Sequence, residues 1–310
     1  MAKCTGIVTK STGSWYEVRT AEGLVYSARL RGKFKKYDLK VTNPIAVGDV
    51  VDIDISSPET DTGIITDIHA RKNYIIRKSV HKSSYGHLIA ANIDQSALVV
   101  TLAWPRTSLG FIDRFLVSCE AFRIPAVLIF NKYDLYDEQM KLEIAHLRNI
   151  YESLGYRCIE TSVTEKQGLE ALKEILNKRI TLLSGHSGVG KSSILNMLVP
   201  ELNLRVADIS GFAEKGVHTT TFAEMYSIGP DTFVIDTPGI KELGIFEIGE
   251  EELSHYFPEM RALLGQCKYH NCRHINEPAC AVKEKLQNQQ IAESRYMSYL
   301  SMIENEDNRK

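Results

Sequence analysis

The sequence predicts three domains of different classes, because its hydrophobic pattern changes twice along 310 residues. Short alternating strands fill about the first 75 residues, and strand-like and helical stretches alternate from about residue 85. From about residue 246 the chain becomes helical around a Cys/His cluster and is predicted to end in one polar amphipathic helix near 281–303. We therefore expect an all-β domain at 1–74, an α/β domain at 75–245 and a helical domain at 246–310. With 44% hydrophobic and 25% charged residues, a disordered or collagen-like chain is excluded.

The first domain carries about five short strands, near residues 6–8, 15–18, 24–26, 49–55 and 63–68. This spacing predicts a small barrel, with the OB-fold as the natural candidate. Residues 1–82 hold 14 Lys/Arg against 9 Asp/Glu, a net charge of +5, whereas the whole chain carries −2. A basic first domain on an otherwise acidic chain indicates that this part meets a polyanion.

A basic loop lies between two of these strands, at Arg29-Leu30-Arg31-Gly32-Lys33-Phe34-Lys35-Lys36. Five cations around one phenylalanine suit a nucleic-acid backbone with one base stacked on the ring. A solvated loop also explains these residues, so both interpretations stay open.

The second domain alternates apolar strands with helical stretches. Strands are predicted at 97–101, 126–130, 157–161, 181–184 and 233–236, and helices at 142–154 and 169–177 among others. This order predicts a parallel sheet that is covered on both faces.

A complete P-loop pattern follows the strand at 181–184 and opens a helical stretch at 193–198. Glycines let backbone N–H groups curl around phosphates, and the helix N-terminus assists. Lys191 is expected to reach the β- and γ-phosphates, and Ser192 to bind Mg²⁺. The expected nucleotide-binding residues here are Gly185, His186, Ser187, Gly188, Val189, Gly190, Lys191, Ser192 and Ser193.

A base-reading motif, Asn131-Lys132-Tyr133-Asp134, follows the strand at 126–130. The Asp134 carboxylate can accept hydrogen bonds from N1–H and the 2-amino group of guanine, donors that adenine lacks, so it would select GTP over ATP. The Lys132 stem would lie along the base. Ser162 and Val163 follow another strand and are expected to supply backbone contacts to the guanine oxygen.

Two further segments point to the metal and the γ-phosphate. Asp236 ends the strand at 233–236 and would hold Mg²⁺, while the N–H of Gly239 would meet the γ-phosphate. Thr219-Thr220-Thr221 lies between this strand and the P-loop, where a threonine such as Thr221 can complete the Mg²⁺ shell. A merely β-prone segment is the alternative for the threonines.

The order of these motifs is that of a circularly permuted GTPase. In ordinary small GTPases the P-loop comes first, whereas here Asn131–Asp134 and Ser162 precede Gly185, and Asp236 comes last. A parallel sheet tolerates this permutation when the original chain ends lie close together. The segment after Gly239 then leads directly into the last domain, where a nucleotide-driven shift could move it.

Cys267, Cys272, His274 and Cys280 offer three thiolates and one imidazole within 14 residues. In a reducing compartment, such crowding favours a structural tetrahedral zinc site over disulfides. His270 is a competing ligand, and a set of unrelated cysteines is the alternative to a site.

In combination these features resemble the ribosome small-subunit-dependent GTPase A (RsgA/YjeQ) family over nearly the whole chain. Gly-His-Ser-Gly-Val-Gly-Lys-Ser-Ser at 185–193, Gly-Val-His-Thr-Thr-Thr at 216–221 and Asn-Ile-Asp-Gln at 92–95 carry the resemblance. It implies late maturation of the small (30S) ribosomal subunit, with 16S rRNA as a partner, and slow GTP hydrolysis that the subunit stimulates. Val217 departs from the arginine expected in the family before the histidine.

The source of the hydrolytic group stays open. The position that carries a water-orienting glutamine in many GTPases is Ile240, which cannot hydrogen-bond water. His218, next to the threonines at 219–221, is the candidate within the chain, and a ribosomal group is the other. Lys191 and Thr221 are the further expected catalytic residues.

Two other functions stay open. One is a nucleotide-gated RNA-binding scaffold in which hydrolysis is incidental, and the other is an ATP-using kinase, against which Asp134 argues. The N-terminus lacks a signal-peptide core and no apolar run approaches membrane-span length, so we expect a cytoplasmic monomer without a membrane partner.

Overall fold

The structure is a computed structural model that describes residues 2–32, 41–57, 61–78, 86–202, 223–236 and 248–304. These residues fall into two compact units, drawn from 1–97, 170–184 and 192–242 in the first and from 98–169, 185–191 and 243–310 in the second. Among them, no helix is both long and apolar enough to span a bilayer.

The strands are β1 (Ala2–Ser11), β2 (Tyr16–Thr20), β3 (Val25–Leu30), β4 (Val50–Ser57), β5 (Thr62–Ile68), β6 (Tyr74–Lys78), β7 (Gly86–Ala91), β8 (Gln95–Val100), β9 (Ala126–Phe130), β10 (Arg157–Glu160), β11 (Ile180–Ser184), β12 (Glu224–Gly229) and β13 (Thr232–Asp236). The helices are α1 (Leu109–Ala121), α2 (Glu138–Ser153), α3 (Leu169–Leu176), α4 (Lys191–Leu198), α5 (Pro258–Arg261), α6 (Ala281–Gln287) and α7 (Glu293–Ile303).

The first five strands form a closed barrel in the order β1-β2-β3-β5-β4, which β4 closes by pairing antiparallel with β1. Alternating side chains such as Val18, Ile53 and Ile65 fill its interior and are fully buried. The barrel confirms the predicted OB-like domain. Within the described residues, each of the five strands pairs with a neighbour on both sides.

The first unit also contains the strands that lead to the phosphate motifs. β11 and β13 are parallel, with Leu183 opposite Asp236, and β12 pairs antiparallel with β13. Because parallel strands end at one edge of a sheet, Ser184 at the end of β11 and Asp236 at the end of β13 lie at the same edge. The β6–β7 hairpin and β12 were not predicted from the sequence.

In the second unit, β9 and β10 run parallel, as predicted, and both end beside the base-reading motif. Helix α1 begins at the N-cap Ser108, whose hydroxyl accepts the Phe111 N–H. Nine of the 13 residues of α1 are buried, as expected of a helix that is covered nearly all round.

A buried charge cluster joins α1 to the C-terminal helices within this unit. Arg295 of α7 donates to Asp113 of α1 at 2.7 Å and to Glu259 of α5 at 2.8 Å. Tyr151 of α2 donates its hydroxyl proton to Asp113 at 2.9 Å. Burial alone would lower the pKa of Arg295, but the charges of Asp113 and Glu259 raise it well above the usual value. The guanidinium is therefore held charged.

The C-terminal segment differs from the prediction in one respect. The sequence predicts one amphipathic helix near 281–303, whereas the structure has α6 and α7 separated by a break. Gln289 adopts a left-handed conformation with φ of +58° after the C-cap Asn288. This turn places Ile291 in the apolar core, where it is 4% exposed, and burial of that side chain favours the break.

Candidate functional site: a P-loop nucleotide site and a Cys/His metal cluster

The P-loop runs from the end of β11 into the first residue of α4. Gly185 and Gly190 have φ of +144° and +101°. A methyl group added at Gly185 would lie 2.5 Å from the Val99 carbonyl oxygen, and one at Gly190 would lie 2.3 Å from Asn131 Nδ2. Only glycine fits either position, so the loop keeps the bare backbone that a phosphate cradle needs.

Lys191 arches back over this loop. Its Nζ donates to the carbonyl oxygens of Gly185 at 2.7 Å and His186 at 2.9 Å. The ammonium is thereby held against the backbone of the loop. The His186 ring stacks on Phe111 of α1 with 3.9 Å between ring centroids.

Asn131 fastens three predicted motifs together and is only 2% exposed. Its Nδ2 donates to the carbonyl oxygen of Val189 in the P-loop at 2.8 Å, and its Oδ1 accepts the hydroxyl of Thr161 at 2.9 Å. Thr161 directly precedes Ser162, which is buried, and the half-buried Val163. The predicted base-reading, P-loop and 162–163 segments therefore converge in one region of the second unit.

The next residues of the base-reading motif sit on a short turn. Lys132 is left-handed with φ of +63°, and its Nζ donates to the carbonyl oxygen of Trp104. Burial lowers the pKa of Lys132. Asp134 itself is exposed to solvent.

One contributor was missed by sequence analysis, the segment 101–107 between β8 and α1. The Tyr136 hydroxyl donates to the Asn131 carbonyl oxygen at 2.9 Å and accepts the Leu102 N–H at 3.0 Å. A methyl group added at Gly188 of the P-loop would lie 3.3 Å from Pro105. This segment thus touches both the base-reading motif and the P-loop. Its one sequence signal is the pair Trp104-Pro105, a few residues after the end of the buried strand β8.

The described magnesium candidates are hard oxygen ligands, which Mg²⁺ prefers. Ser192 lies in the first turn of α4 and is half-buried, and Asp236 ends β13. Ser193, an expected nucleotide-binding residue, follows in the same turn and is also half-buried. The other predicted residues, Thr219–Thr221, His218, Gly239 and Ile240, lie outside the described residues, as do Lys33, Phe34, Lys35 and Lys36 of the basic loop.

The four predicted zinc ligands come together. The ligand atoms of Cys267, Cys272, His274 and Cys280 all lie within 4.8 Å of one another. Three of the separations are 3.3 Å for His274 Nδ1 to Cys280 Sγ, 3.6 Å for Cys267 Sγ to His274 Nδ1 and 3.9 Å for Cys267 Sγ to Cys280 Sγ. A tetrahedron with zinc–sulfur bonds of about 2.3 Å has sulfur–sulfur edges of about 3.8 Å, so the cluster fits zinc. The competing candidate His270 is not part of this group within the described chain.

Burial shapes the protonation of these ligands. It raises the pKa of Cys272 to about 12 and lowers the pKa of His274. The pocket therefore disfavours thiolates unless a cation compensates, and a divalent metal would do so.

The sequence did not reveal what holds the metal loop. The Glu277 carboxylate accepts the backbone N–H groups of Arg273, Ile275 and Asn276 at 2.8–3.0 Å. Tyr296 of α7 donates its hydroxyl proton to the carbonyl oxygen of His274 at 2.7 Å. These bonds order the loop around its ligands.

A parallel sheet, a P-loop at the end of β11 and base-reading residues that come earlier in the chain define a circularly permuted P-loop GTPase. The chain belongs to the RsgA GTPase family. The family model of the RsgA GTPase matches residues 68–246, and that of the RsgA N-terminal domain matches residues 5–65.

Similar proteins cover nearly the full length. The small ribosomal subunit biogenesis GTPase RsgA of Cytophaga hutchinsonii is 57% identical over 302 residues, with 97% of this chain and 98% of that protein covered. The protein of the same name from Flavobacterium psychrophilum is 50% identical, with 98% and 93% covered. The crystal structure of YjeQ from Thermotoga maritima has a TM-score of 0.79 at 38% identity, with 98% of each chain covered. That of YloQ, a circularly permuted GTPase, has a TM-score of 0.75 at 28% identity, with 100% of this chain and 96% of that chain covered.

Proposed function

We propose that this GTPase acts in late maturation of the small ribosomal subunit, as a checkpoint whose hydrolysis the subunit stimulates. The observation that carries the nucleotide part is the Asn131 link, which ties the base-reading motif to the P-loop carbonyl of Val189. The names of relatives 50–57% identical support the ribosomal part.

In this proposal each motif has one task. The Asp134 carboxylate reads guanine, the P-loop N–H groups and Lys191 hold the phosphates, and Ser192, Asp236 and Thr221 hold Mg²⁺. The ion would neutralise charge that develops on the phosphate oxygens. His218 or a ribosomal group orients the attacking water, because Ile240 offers no hydrogen bond to it.

The barrel is the proposed rRNA-binding domain. The Arg29 guanidinium lies 3.8 Å from the centre of the Trp15 ring, and both side chains are exposed. A cation stacked on an aromatic ring is a surface on which RNA bases and phosphates bind. Zinc held by the Cys/His cluster would stabilise the C-terminal region, and we propose that the protein acts as a cytoplasmic monomer.

The decisive experiment measures GTP turnover with and without purified small subunits. We expect the subunits to increase turnover strongly. No increase would refute the checkpoint and favour the RNA-binding scaffold with incidental hydrolysis.

A second experiment measures co-sedimentation with small subunits in each nucleotide state over a salt series. Binding should be tighter with a non-hydrolysable GTP analogue than with GDP by about 1–3 kcal/mol, a typical coupling free energy. Arg29→Gln should weaken binding and flatten its salt dependence, because phosphate contacts release counterions. Lys173→Gln on α3, another exposed cation, is the matched control and should change neither.

A further inference from the structure

Trp104 stands out among the exposed residues because of what its backbone binds. Its side chain is 57% exposed, although Thr101 and Thr107 at the ends of the same segment are 1% and 3% exposed. Single exposed apolar residues are common on protein surfaces and do not by themselves indicate a function. Here, however, the Trp104 carbonyl oxygen accepts the Nζ of Lys132, the residue whose stem is expected to lie along the base.

The segment that presents Trp104 is fixed on several sides. The N–H of Thr107 donates to the Thr101 carbonyl oxygen at 2.8 Å, and the Thr101 hydroxyl donates to the carbonyl oxygen of Pro105. The Leu102 N–H donates to Tyr136, which itself bonds Asn131. These bonds hold the backbone of the segment between the base-reading motif and the P-loop.

The backbone of Trp104 itself is unusual. Its φ of +52° lies in the left-handed region, where glycine or asparagine normally serves and a bulky residue is rare. A turn selected for conformation alone would not need an indole there. Such outliers point to a role for the side chain.

We propose that the indole of Trp104 packs against the guanosine part of the bound nucleotide and shields the base site from solvent. The bond to the Lys132 ammonium brings the Trp104 backbone to the tip of the lysine that is expected to lie along the base, so the indole starts from backbone that adjoins the proposed base site. Aromatic rings stack on any base, so Trp104 would add affinity for nucleosides while Asp134 supplies the preference for guanine. This inference rests on the proposed nucleotide site.

The test uses the two tryptophans of the chain, Trp15 and Trp104. Excitation at the red edge of the indole band, where tyrosine does not absorb, then reports only Trp104 in a Trp15→Phe protein and only Trp15 in a Trp104→Phe protein. Saturating Mg²⁺–GDP should lower acrylamide quenching of Trp104 about twofold, because stacking covers one of the two faces of the indole. Mg²⁺–pyrophosphate should leave the quenching of Trp104 unchanged. Mg²⁺–GDP should leave the quenching of Trp15 unchanged.

Calorimetry supplies the second measurement. Trp104→Ala should weaken GDP binding about tenfold, as expected for the loss of one base–aromatic stack, while Trp104→Phe keeps most of the affinity. Pyrophosphate affinity should be equal in all three proteins. Thermal unfolding followed by circular dichroism checks that the variants fold.

The outcomes separate the two hypotheses. GDP binding with unprotected Trp104 overturns the role of the indole and leaves the nucleotide site intact. Equal protection by pyrophosphate also overturns it, because the effect would then come from loop closure over phosphates. No GDP binding by the unmodified protein would refute the nucleotide site itself.

Discussion

Asn131→Ala should weaken nucleotide binding as well as folding, because one amide connects the base-reading motif to the P-loop. The substitution leaves the Val189 carbonyl and the Thr161 hydroxyl without their partner, and both residues are 0% exposed. A buried polar group without a partner costs about 1–3 kcal/mol, so two give about 2–6 kcal/mol. Water entering the vacated space should reduce the sum to about 2–4 kcal/mol.

The affinity for GDP should fall about 10- to 100-fold, because the phosphates must then order the P-loop themselves. Calorimetry at fixed Mg²⁺ measures the affinity, and urea unfolding measures the stability. Thr161→Val removes one of the two bonds and should show an intermediate loss of affinity.

Thr181→Val is the matched control. The Thr181 hydroxyl is also 0% exposed and accepts an amide, Gln95 Nε2, at the same distance of 2.9 Å. It lies near the start of β11, whereas the P-loop follows the end of that strand. The control should lose stability and keep its affinity for GDP. Equal losses of affinity in the Asn131 and Thr181 variants would show general destabilisation and refute the specific link.

Three further predictions concern specificity, metal and pH. Asp134→Asn should weaken GTP binding by about 2–4 kcal/mol, because the guanine N–H donors lose their carboxylate acceptor, and xanthine nucleotides should then bind better relative to GTP. Unchanged GTP affinity in a titration would mean that another residue reads the base. Cys272→Ser should lose the zinc and unfold the C-terminal region while largely keeping GDP binding. Elemental analysis measures the zinc and hydrogen exchange measures the unfolding; full zinc content would contradict the ligand set. Burial alone would raise the pKa of the Glu277 carboxyl, but hydrogen bonds from backbone N–H groups outweigh this and lower the pKa from its usual value. The Glu277 carboxylate therefore contributes stability to the fold at pH values above its pKa in the unfolded chain, and this stability is lost as the pH falls through the lower pKa of the folded protein. Glu277→Gln should lower the stability of the metal loop by about 1 kcal/mol at pH 7 and make that stability less dependent on pH in acid. Zinc retention against a chelator measures the effect, and retention equal to that of the unmodified protein would contradict the argument.

The sequence predicted the strand ends and motif positions well for a physical reason. An apolar run that is buried on both sides has sharp polar borders, and β9 occupies 126–130 as expected. Parallel strands end at one edge, so Asn131 and Thr161, which follow β9 and β10, could be expected to lie close together. The metal cluster could be predicted equally well from the sequence, because its four ligands lie within 14 residues of one another in the chain.

The remaining contacts have no local pattern. Asp113 and Arg295 are 182 positions apart, and neither lies in a motif. The position of Trp104 beside Lys132 depends on how the segment after β8 folds back, which periodicity does not encode. The break at Gln289 was missed because tertiary burial of Ile291 outweighs the helical pattern around it.

The Asp113–Arg295 pair has a consequence for deletion experiments. A chain shortened after residue 245 would keep every described nucleotide motif, yet it would leave the Asp113 carboxylate without its cation and uncover Val117, which packs in the C-terminal core. An unpaired interior charge is costly enough to distort its helix. Because Phe111 of that helix stacks on His186, the damage would reach the P-loop. Loss of activity in such a truncated protein would therefore say little about which surface the missing segment offers to a partner, and exposed point substitutions that spare Arg295 are the sounder tool.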